Sequence, residues 1–157
     1  MGLESYNFKY TAPKTAKISW QKVLERFNAV PIPKESKYFK YYKIEQDDFV
    51  IDLQSDSQSL EIRIALCNPV LGMCSSLDLV SELIHQFKGS VSTLGGEIKS
   101  TNMPQEDRDR FLVDFKEQKS KFVQNIADFE APLSADDVFA HIRRNDIKPK
   151  NTDSESE

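Results

Sequence analysis

Residues 48–66, DFVIDLQSDSQSLEIRIAL, decide the fold of this chain. Apolar and polar residues alternate on both sides of a polar centre, a pattern typical of two β-strands that each bury one face. The centre, SDSQS at 55–59, consists of turn formers and their polar neighbours. The stretch therefore predicts an antiparallel hairpin with a Leu/Ile face and a polar face.

The polar face of this hairpin supplies the candidate binding residues. We expect the Leu/Ile face to pair in the register Leu53–Leu60, Ile51–Ile62 and Phe49–Ile64. Asp52 then lies diagonal to Arg63 on the other face, together with Glu61. That face is either solvated or a binding surface, so Asp52, Glu61 and Arg63 are the partner-binding candidates.

Three elements are expected before the hairpin. SYNFKY (5–10) alternates aromatic and polar residues and predicts a short strand. SWQKVLERFNAV (19–30) has apolar residues at helical spacing, with Ser19 able to cap the helix and PIP (31–33) ending it. KYFKYYKIE (37–45) is aromatic-rich and alternating, so it predicts a second strand.

After the hairpin, the apolar spacing predicts one helix from about Ser76 to Leu94 that continues through Gly89. Ser75 and Asp78 form a capping-box pattern at its start. A helix that stopped at Gly89 would instead leave room for a hairpin around Gly95 and Gly96.

The last part of the chain predicts a short strand, GEIKST (96–101), and then a long helix from Pro104 to Phe129. A second capping-box pattern, Ser134 and Asp137, precedes VFAHIRRN. Residues 148–157 contain no apolar side chain and are expected to form a disordered acidic tail. The expected organisation is therefore one domain over 1–147 and a tail.

Composition restricts the class of protein. The 157 residues, 39% of them hydrophobic, suffice for one core, and no apolar run is long enough to span a membrane. Two cysteines and an N-terminus without a signal pattern favour the cytoplasm. The net charge of −4 is unevenly distributed, because residues 1–43 hold nine basic and three acidic residues and the remainder is acidic. This asymmetry fits either attraction within one fold or selection of a charged partner.

Cys67, Cys74 and His85 are the candidates for covalent or metal chemistry. Alternation places Cys67 on the polar face of its strand, and helical spacing places His85 on the outer face of the next helix with Asp78 and Glu82. A catalytic Cys–His pair needs hydrogen-bond contact, which this phasing does not provide. The cysteine spacing also lacks a zinc pattern. We therefore predict no catalytic residue, no metal and no cofactor.

The segment KYFKYYK (37–43) interleaves aromatic residues with lysines, as single-stranded nucleic-acid platforms do. The order helix, three strands, helix also occurs in double-stranded RNA binding domains, but SSLDLVSEL (75–83) lacks the lysine cluster that opens their second helix. With an acidic remainder, the composition argues against nucleic acid. The alternative is an edge strand whose lysines prevent aggregation.

Three segments carry a resemblance: DDFVIDLQSDSQSLEIRIALCNPVLG, LDLVSELIHQF and RFLVDFKEQKSKFVQNI. In size and order of elements the chain resembles type III secretion chaperones and bacterial toxin-immunity proteins. Both resemblances imply a binder without an active site. A helix that continues through Gly89 favours the immunity protein, whereas a helix that ends there restores a hairpin and favours the chaperone.

We thus expect an α+β fold, an antiparallel meander sheet of about three to five strands with helices packed on one face. The leading hypothesis is a non-catalytic cytoplasmic protein-binding module, most like an immunity protein that binds and blocks a toxin domain. The alternatives are a chaperone for a secreted effector, which would be a homodimer, and then an enzyme of unrecognised type.

Overall fold

The structure, a computed structural model, describes residues 5–34 and 36–125, with side chains up to 121. These residues form seven strands and three helices. In chain order they are β1 (Ser5–Thr11), α1 (Trp20–Glu25), β2 (Ala29–Ile32), β3 (Lys40–Glu45), β4 (Val50–Ser55), β5 (Ser59–Ala65), α2 (Val70–Phe87), β6 (Ser90–Thr93), β7 (Lys99–Ser100) and α3 (Gln105–Asn125).

All strands belong to one antiparallel sheet, in the order β2-β3-β4-β5-β1-β6-β7. The α+β class is confirmed, and β2 to β5 form the expected meander. The predicted number of strands was too low, because seven are found among the described residues. The first strand, β1, lies inside the sheet between β5 and β6, so the N-terminal segment joins the two parts of the sheet.

Two strands were missed, each for a local reason. The predicted helix over 19–30 was too long, because α1 ends at Glu25 and Ala29 and Val30 belong to β2. β2 also contains Pro31, which had been interpreted as part of a helix stop. Proline lacks a backbone donor and is tolerated here because β2 is the outermost strand of the sheet. β6 was missed because its residues continued the helical spacing of α2.

The predicted continuation of the helix through Gly89 was wrong, since α2 ends at Phe87. Lys88 and Gly89 both have positive φ, 70° and 93°, and turn the chain into β6. A Cβ on Gly89 would lie 2.3 Å from the carbonyl oxygen of Thr11, so β1 passes too close for any other residue. Val91 and Leu94, whose spacing had suggested the last turns of the helix, lie outside it: Val91 is buried as part of β6, and Leu94 is exposed.

The three helices cover one face of the sheet, as expected, and β1 shows this most directly. The ring of Phe8 lies 5.7 Å from that of Phe111 in α3, and Tyr10 lies 6.2 Å from Trp20 in α1. The Tyr10 hydroxyl also donates to the carbonyl of Lys88 at the end of α2. Because alternate residues of a strand share a face, all three helices lie on the Phe8 side.

The hairpin between β4 and β5 is tighter than expected. Leu53 pairs with Ile62 rather than Leu60, a shift of two residues that leaves each side chain on its predicted face. The cause is the Asp56 carboxylate, which accepts hydrogen bonds from the backbone N–H of Gln58 and Ser59 at 2.8 and 2.7 Å. These bonds close the turn directly after Ser55.

The predicted capping box at Ser75 and Asp78 was also wrong, because α2 begins at Val70 and both residues lie within it. Ser19 does occupy the N-cap of α1, although its side chain makes no capping hydrogen bond. The long last helix begins directly after Pro104, as predicted.

Several expectations lie outside the described residues. They are the predicted end of the last helix at Phe129, the second capping box at Ser134 and Asp137, and the tail 148–157. Within the described part of the chain, no helix has the length and apolar character needed to cross a membrane.

Candidate partner-binding surface

The face of the sheet opposite the helices is open and polar. We call it the open face; no helix of the described residues packs on it. Its central row runs across four strands as Lys43, Asp52, Arg63 and Asn7, which are directly paired neighbours. A second row consists of Gln54, Glu61 and Lys9. On β6 and β7 this surface continues as polar residues, Ser92 and Lys99, whereas on β3 and β2 it continues as Tyr41, Val30 and Ile32.

All three predicted binding residues lie at the centre of the open face. Arg63 is paired directly with Asp52, rather than diagonally as expected, because of the shifted hairpin register. Glu61 stands between Gln54 on one side and Lys9 on the other. Asp52, Glu61 and Arg63 are each half-buried.

The charges on the open face alternate in sign. Lys43, Asp52 and Arg63 follow one another across three strands, and Glu61 neighbours Lys9 on the next row. The Lys43 ammonium also lies 3.9 Å from the carboxylate of Glu45 on its own strand. Opposite charges on adjacent strands stabilise the sheet modestly. A mixed pattern of this kind selects a partner by complementarity rather than attracting every polyion.

A second feature lies at the edge of the sheet beside the open face. An open cavity of about 780 Å³ is lined by Gln21 of α1 and by most of residues 31–42. These residues belong to β2, β3 and the segment that joins them, so we call it the hairpin groove. Its lining includes Lys34, Lys37 and Lys40, and no acidic side chain of the described residues.

Aromatic rings accompany these lysines. The Lys34 ammonium lies 4.6 Å from the centre of the Tyr41 ring, and the Lys37 ammonium 5.5 Å from that of Tyr38. Both distances are in the range of cation–π contacts. Tyr38 is 71% exposed, the most exposed large hydrophobic side chain of the described residues. The groove thus presents positive charge and aromatic surface together.

The groove is bordered by an acidic side chain on one side and by side chains of both charges on the other. A small neighbouring pocket, which shares Lys34 and Tyr41 with the groove, extends to Asp52 and Arg63 of the open face. Another, which shares Tyr38 and Lys40, extends to Asp56. Burial by itself would raise the pKa of Asp56, but hydrogen bonds from Gln58 and Ser59 and the charge of Lys9 together hold it below its usual value.

The structure corrects the placement of Cys67. This residue was expected on the polar face but is completely buried in the core. Strand β5 ends at Ala65, so alternation no longer applies two residues later. The following turn is held by Asn68, whose amide donates to Ala65 and accepts from the backbone of Val50.

His85 is exposed on the outer side of α2, as predicted. The acidic residues on that side make contacts with other helices: Asp78 accepts from Arg108 of α3 at 2.8 Å, and Glu82 lies 3.8 Å from Arg26. Among the residues that the structure describes, no group of His, Cys, Asp and Glu side chains is arranged to hold a metal ion.

Sequence reasoning identified the open face but missed the hairpin groove. KYFKYYK was recognised as an aromatic and basic segment, yet it was assigned to an edge strand. β3 is in fact the second strand from the edge, because β2 lies outside it, and the loop that precedes β3 lines the groove. The sequence did contain a signal for this groove. Residues 31–42 are basic, with a net charge of +2 when Glu35 is counted.

Comparison of the chain with protein-family models, with curated proteins and with solved structures found no match.

Proposed function

We propose that the chain is a non-catalytic protein-binding module of the cytoplasm, most like an immunity protein that binds and blocks a toxin domain. The observation that carries this proposal is the open face. It presents charged side chains of both signs on one rigid sheet, while the helices on the other side supply the core. Such a surface matches a single partner without needing to move.

The charge pattern supports recognition in preference to stability. Exposed and half-exposed ion pairs contribute little to folding, typically below about 1 kcal/mol each. An alternating row on adjacent strands can nevertheless discriminate strongly between partners, because a mismatched charge pair is costly once water is excluded. The row Lys43, Asp52 and Arg63 therefore has more value in an interface than in the isolated chain.

The direct experiment is co-expression with the product of the neighbouring gene. An immunity protein should rescue growth of a host that expresses this product and should bind it tightly in calorimetry. The charge-reversed variant Asp52→Lys, Glu61→Lys and Arg63→Glu should lose both effects. Failure of the unmodified chain to bind or protect would contradict the immunity proposal.

A matched control uses the exposed side of α3. Asp109→Lys, Lys116→Glu and Glu117→Lys reverse three exposed charges with the same change in net charge. This control should bind and protect like the unmodified chain. Equal loss in both variants would show that overall charge, rather than the open face, governs the interaction.

A chaperone for a secreted effector is the second candidate. The end of α2 at Phe87 favours it, as the sequence led us to expect of a helix that stops before Gly89. We keep the immunity protein first because the charged open face suits an already folded partner.

The hairpin of β6 and β7, paired through Val91–Ser100 and Ser92–Lys99, precedes the last helix, where the chaperone resemblance expects one. The edge hairpin also exposes apolar surface, since Val30 is 60% exposed and Tyr38, in the segment between β2 and β3, is 71% exposed. Exposed apolar side chains of this kind suit a client segment or a second copy.

Oligomeric state separates the two candidates. The chaperone hypothesis expects a homodimer by light scattering and an effector that stays soluble only when co-expressed. The immunity hypothesis expects tight binding of an already folded toxin. Turnover of a small molecule that disappears on changing one polar residue would instead support the enzyme alternative.

A further inference from the structure

We propose that the hairpin groove binds an acidic segment of the partner protein that carries an aromatic or long aliphatic side chain. This inference rests on the proposed protein-binding function and specifies the chemistry of the partner. It concerns a surface separate from the charged rows of the open face, although the two share a border at Tyr41 and Lys34.

Charge is the first reason. Lys34, Lys37 and Lys40 all line the groove, whereas its described lining contains no carboxylate. Lys37 and Lys40 take part in none of the salt bridges found among the described residues. Two ammonium groups therefore remain available to the carboxylates of an incoming segment.

The rings supply the apolar half of the recognition. Tyr38 presents most of its surface to solvent, and Phe39 and Tyr41 are half-buried in the groove wall. Lys37 and Lys34 lie against two of these rings, so the charges and the apolar surface are adjacent. A ligand that pairs a carboxylate with an apolar side chain satisfies both, and a purely acidic or purely apolar ligand satisfies only one.

The edge strand β2 restricts how a partner segment can bind. β2 is outermost, and its Pro31 offers no backbone N–H. Proline on an edge opposes the addition of another strand. Recognition therefore depends on side chains within the groove rather than on extension of the sheet.

The short extent of the basic lining favours a protein segment over nucleic acid. A polynucleotide needs a basic track along several consecutive phosphates. Here the three lysines of the lining lie within residues 34–40, next to Asp56 on one side and to the neighbouring Asp52 and Arg63 on the other. A segment with two or three carboxylates matches this short basic stretch.

The test uses the full chain and labelled probes in a fluorescence anisotropy titration. The main probe is a short peptide in which glutamate alternates with leucine and tryptophan. Three comparison probes are the same peptide with lysine for glutamate, the same peptide with serine for the apolar residues, and an oligothymidine of similar length. We expect the first peptide to bind most tightly and the binding to weaken with salt.

Variants locate the site. Lys37→Glu with Lys40→Glu should weaken peptide binding by about tenfold or more. Lys116→Glu with Lys121→Glu on the exposed side of α3 is the matched control, with the same change in net charge, and should leave binding unchanged. Tyr38→Ser should weaken the peptide but not the serine-substituted probe. Its exposure means that the chain should remain folded, which circular dichroism checks.

Three results would overturn the inference: tighter binding of oligothymidine than of the acidic apolar peptide, no binding of that peptide, or equal loss in the matched control. The groove and the proposed function can fail separately. If Lys37→Glu with Lys40→Glu leaves binding of the neighbouring gene product intact while the open-face variant abolishes it, the groove inference is wrong and the protein-binding function stands.

Discussion

Tyr6, Phe8 and Tyr10 of β1 lie under the three helices, whereas Asn7, Lys9 and Thr11 of the same strand lie on the open face. On the covered face the contacts are aromatic and completely buried, as between Phe8 and Phe111. On the open face the neighbours are polar and reach solvent. One strand therefore contributes both to the core and to the candidate recognition surface, because its alternate side chains point to opposite faces of the sheet.

The sharpest way to test this division is to truncate a side chain on each face of β1. Phe8→Ala should lower the free energy of unfolding by about 3–5 kcal/mol, because it removes a fully buried ring and leaves a cavity. Lys9→Ala should change it by less than about 0.5 kcal/mol, because Lys9 is exposed. Urea titrations of both variants decide the matter, and similar losses would contradict the assignment of faces.

The turn that brings β6 against β1 can be broken at Gly89. Gly89→Ala should destabilise the fold by about 2 kcal/mol or more, because the new Cβ would meet the Thr11 carbonyl and φ is positive. Gly96→Ala is the matched control. Its φ is also positive, at 80°, but a Cβ there would lie within 4 Å of no described residue apart from its own chain neighbours. Its cost should be about 1 kcal/mol, for the backbone alone. Equal thermal midpoints for the two variants would show that the contact with β1 is unimportant.

Alkaline pH should disturb the covered face before the open one. Burial raises the pKa of Tyr10 from 10.0 to about 12, and burial followed by the hydrogen bond to Asp114 raises that of Tyr6 further. The native state therefore favours the neutral phenols. Their contribution is complete below pH 10 and is lost as the pH rises through the folded-state values.

Unfolding measured between pH 8 and pH 12 should show this loss, and Tyr10→Phe should reduce its steepness. At neutral pH the same variant should cost about 1 kcal/mol, because the Lys88 carbonyl loses its donor. A pH dependence unchanged by Tyr10→Phe would mean that other groups control alkaline unfolding.

The smallest effect on stability is expected from the open face. The variant Asp52→Lys, Glu61→Lys and Arg63→Glu should shift the free energy of unfolding by no more than about 1 kcal/mol, since these half-exposed charges are screened by solvent. Its loss of partner binding would then be an effect on the surface alone. A larger drop in a urea titration would assign the charged row to folding.

The elements that sequence reasoning predicted well carry their signal locally. Alternation over 48–66 placed Leu53 and Ile62 on one face and Asp52, Glu61 and Arg63 on the other, and the structure keeps that division. Proline and the apolar spacing likewise located the start of α3. A two-residue error in register did not matter for the faces, because the strand period is two.

The errors arose where distant contacts override a local pattern. Val91 continues the helical spacing of α2, but pairing of β6 with β1 and the close approach of Thr11 to Gly89 make that segment a strand. Cys67 continues the alternation of β5 but lies buried within the turn that the hydrogen bond from Asn68 to Ala65 closes. The missed strand β2 owes its place to pairing with β3.

The sequence by itself determined the α+β class, the two faces of the central strands and the charged residues of the open face, because alternation and composition act over a few residues. Only the tertiary structure decided that β1 lies inside the sheet, that α2 ends before Gly89 and that the β2–β3 hairpin encloses a groove. Each of these depends on contacts between segments far apart in the chain, and no local pattern records the backbone pairing and steric fit that select them.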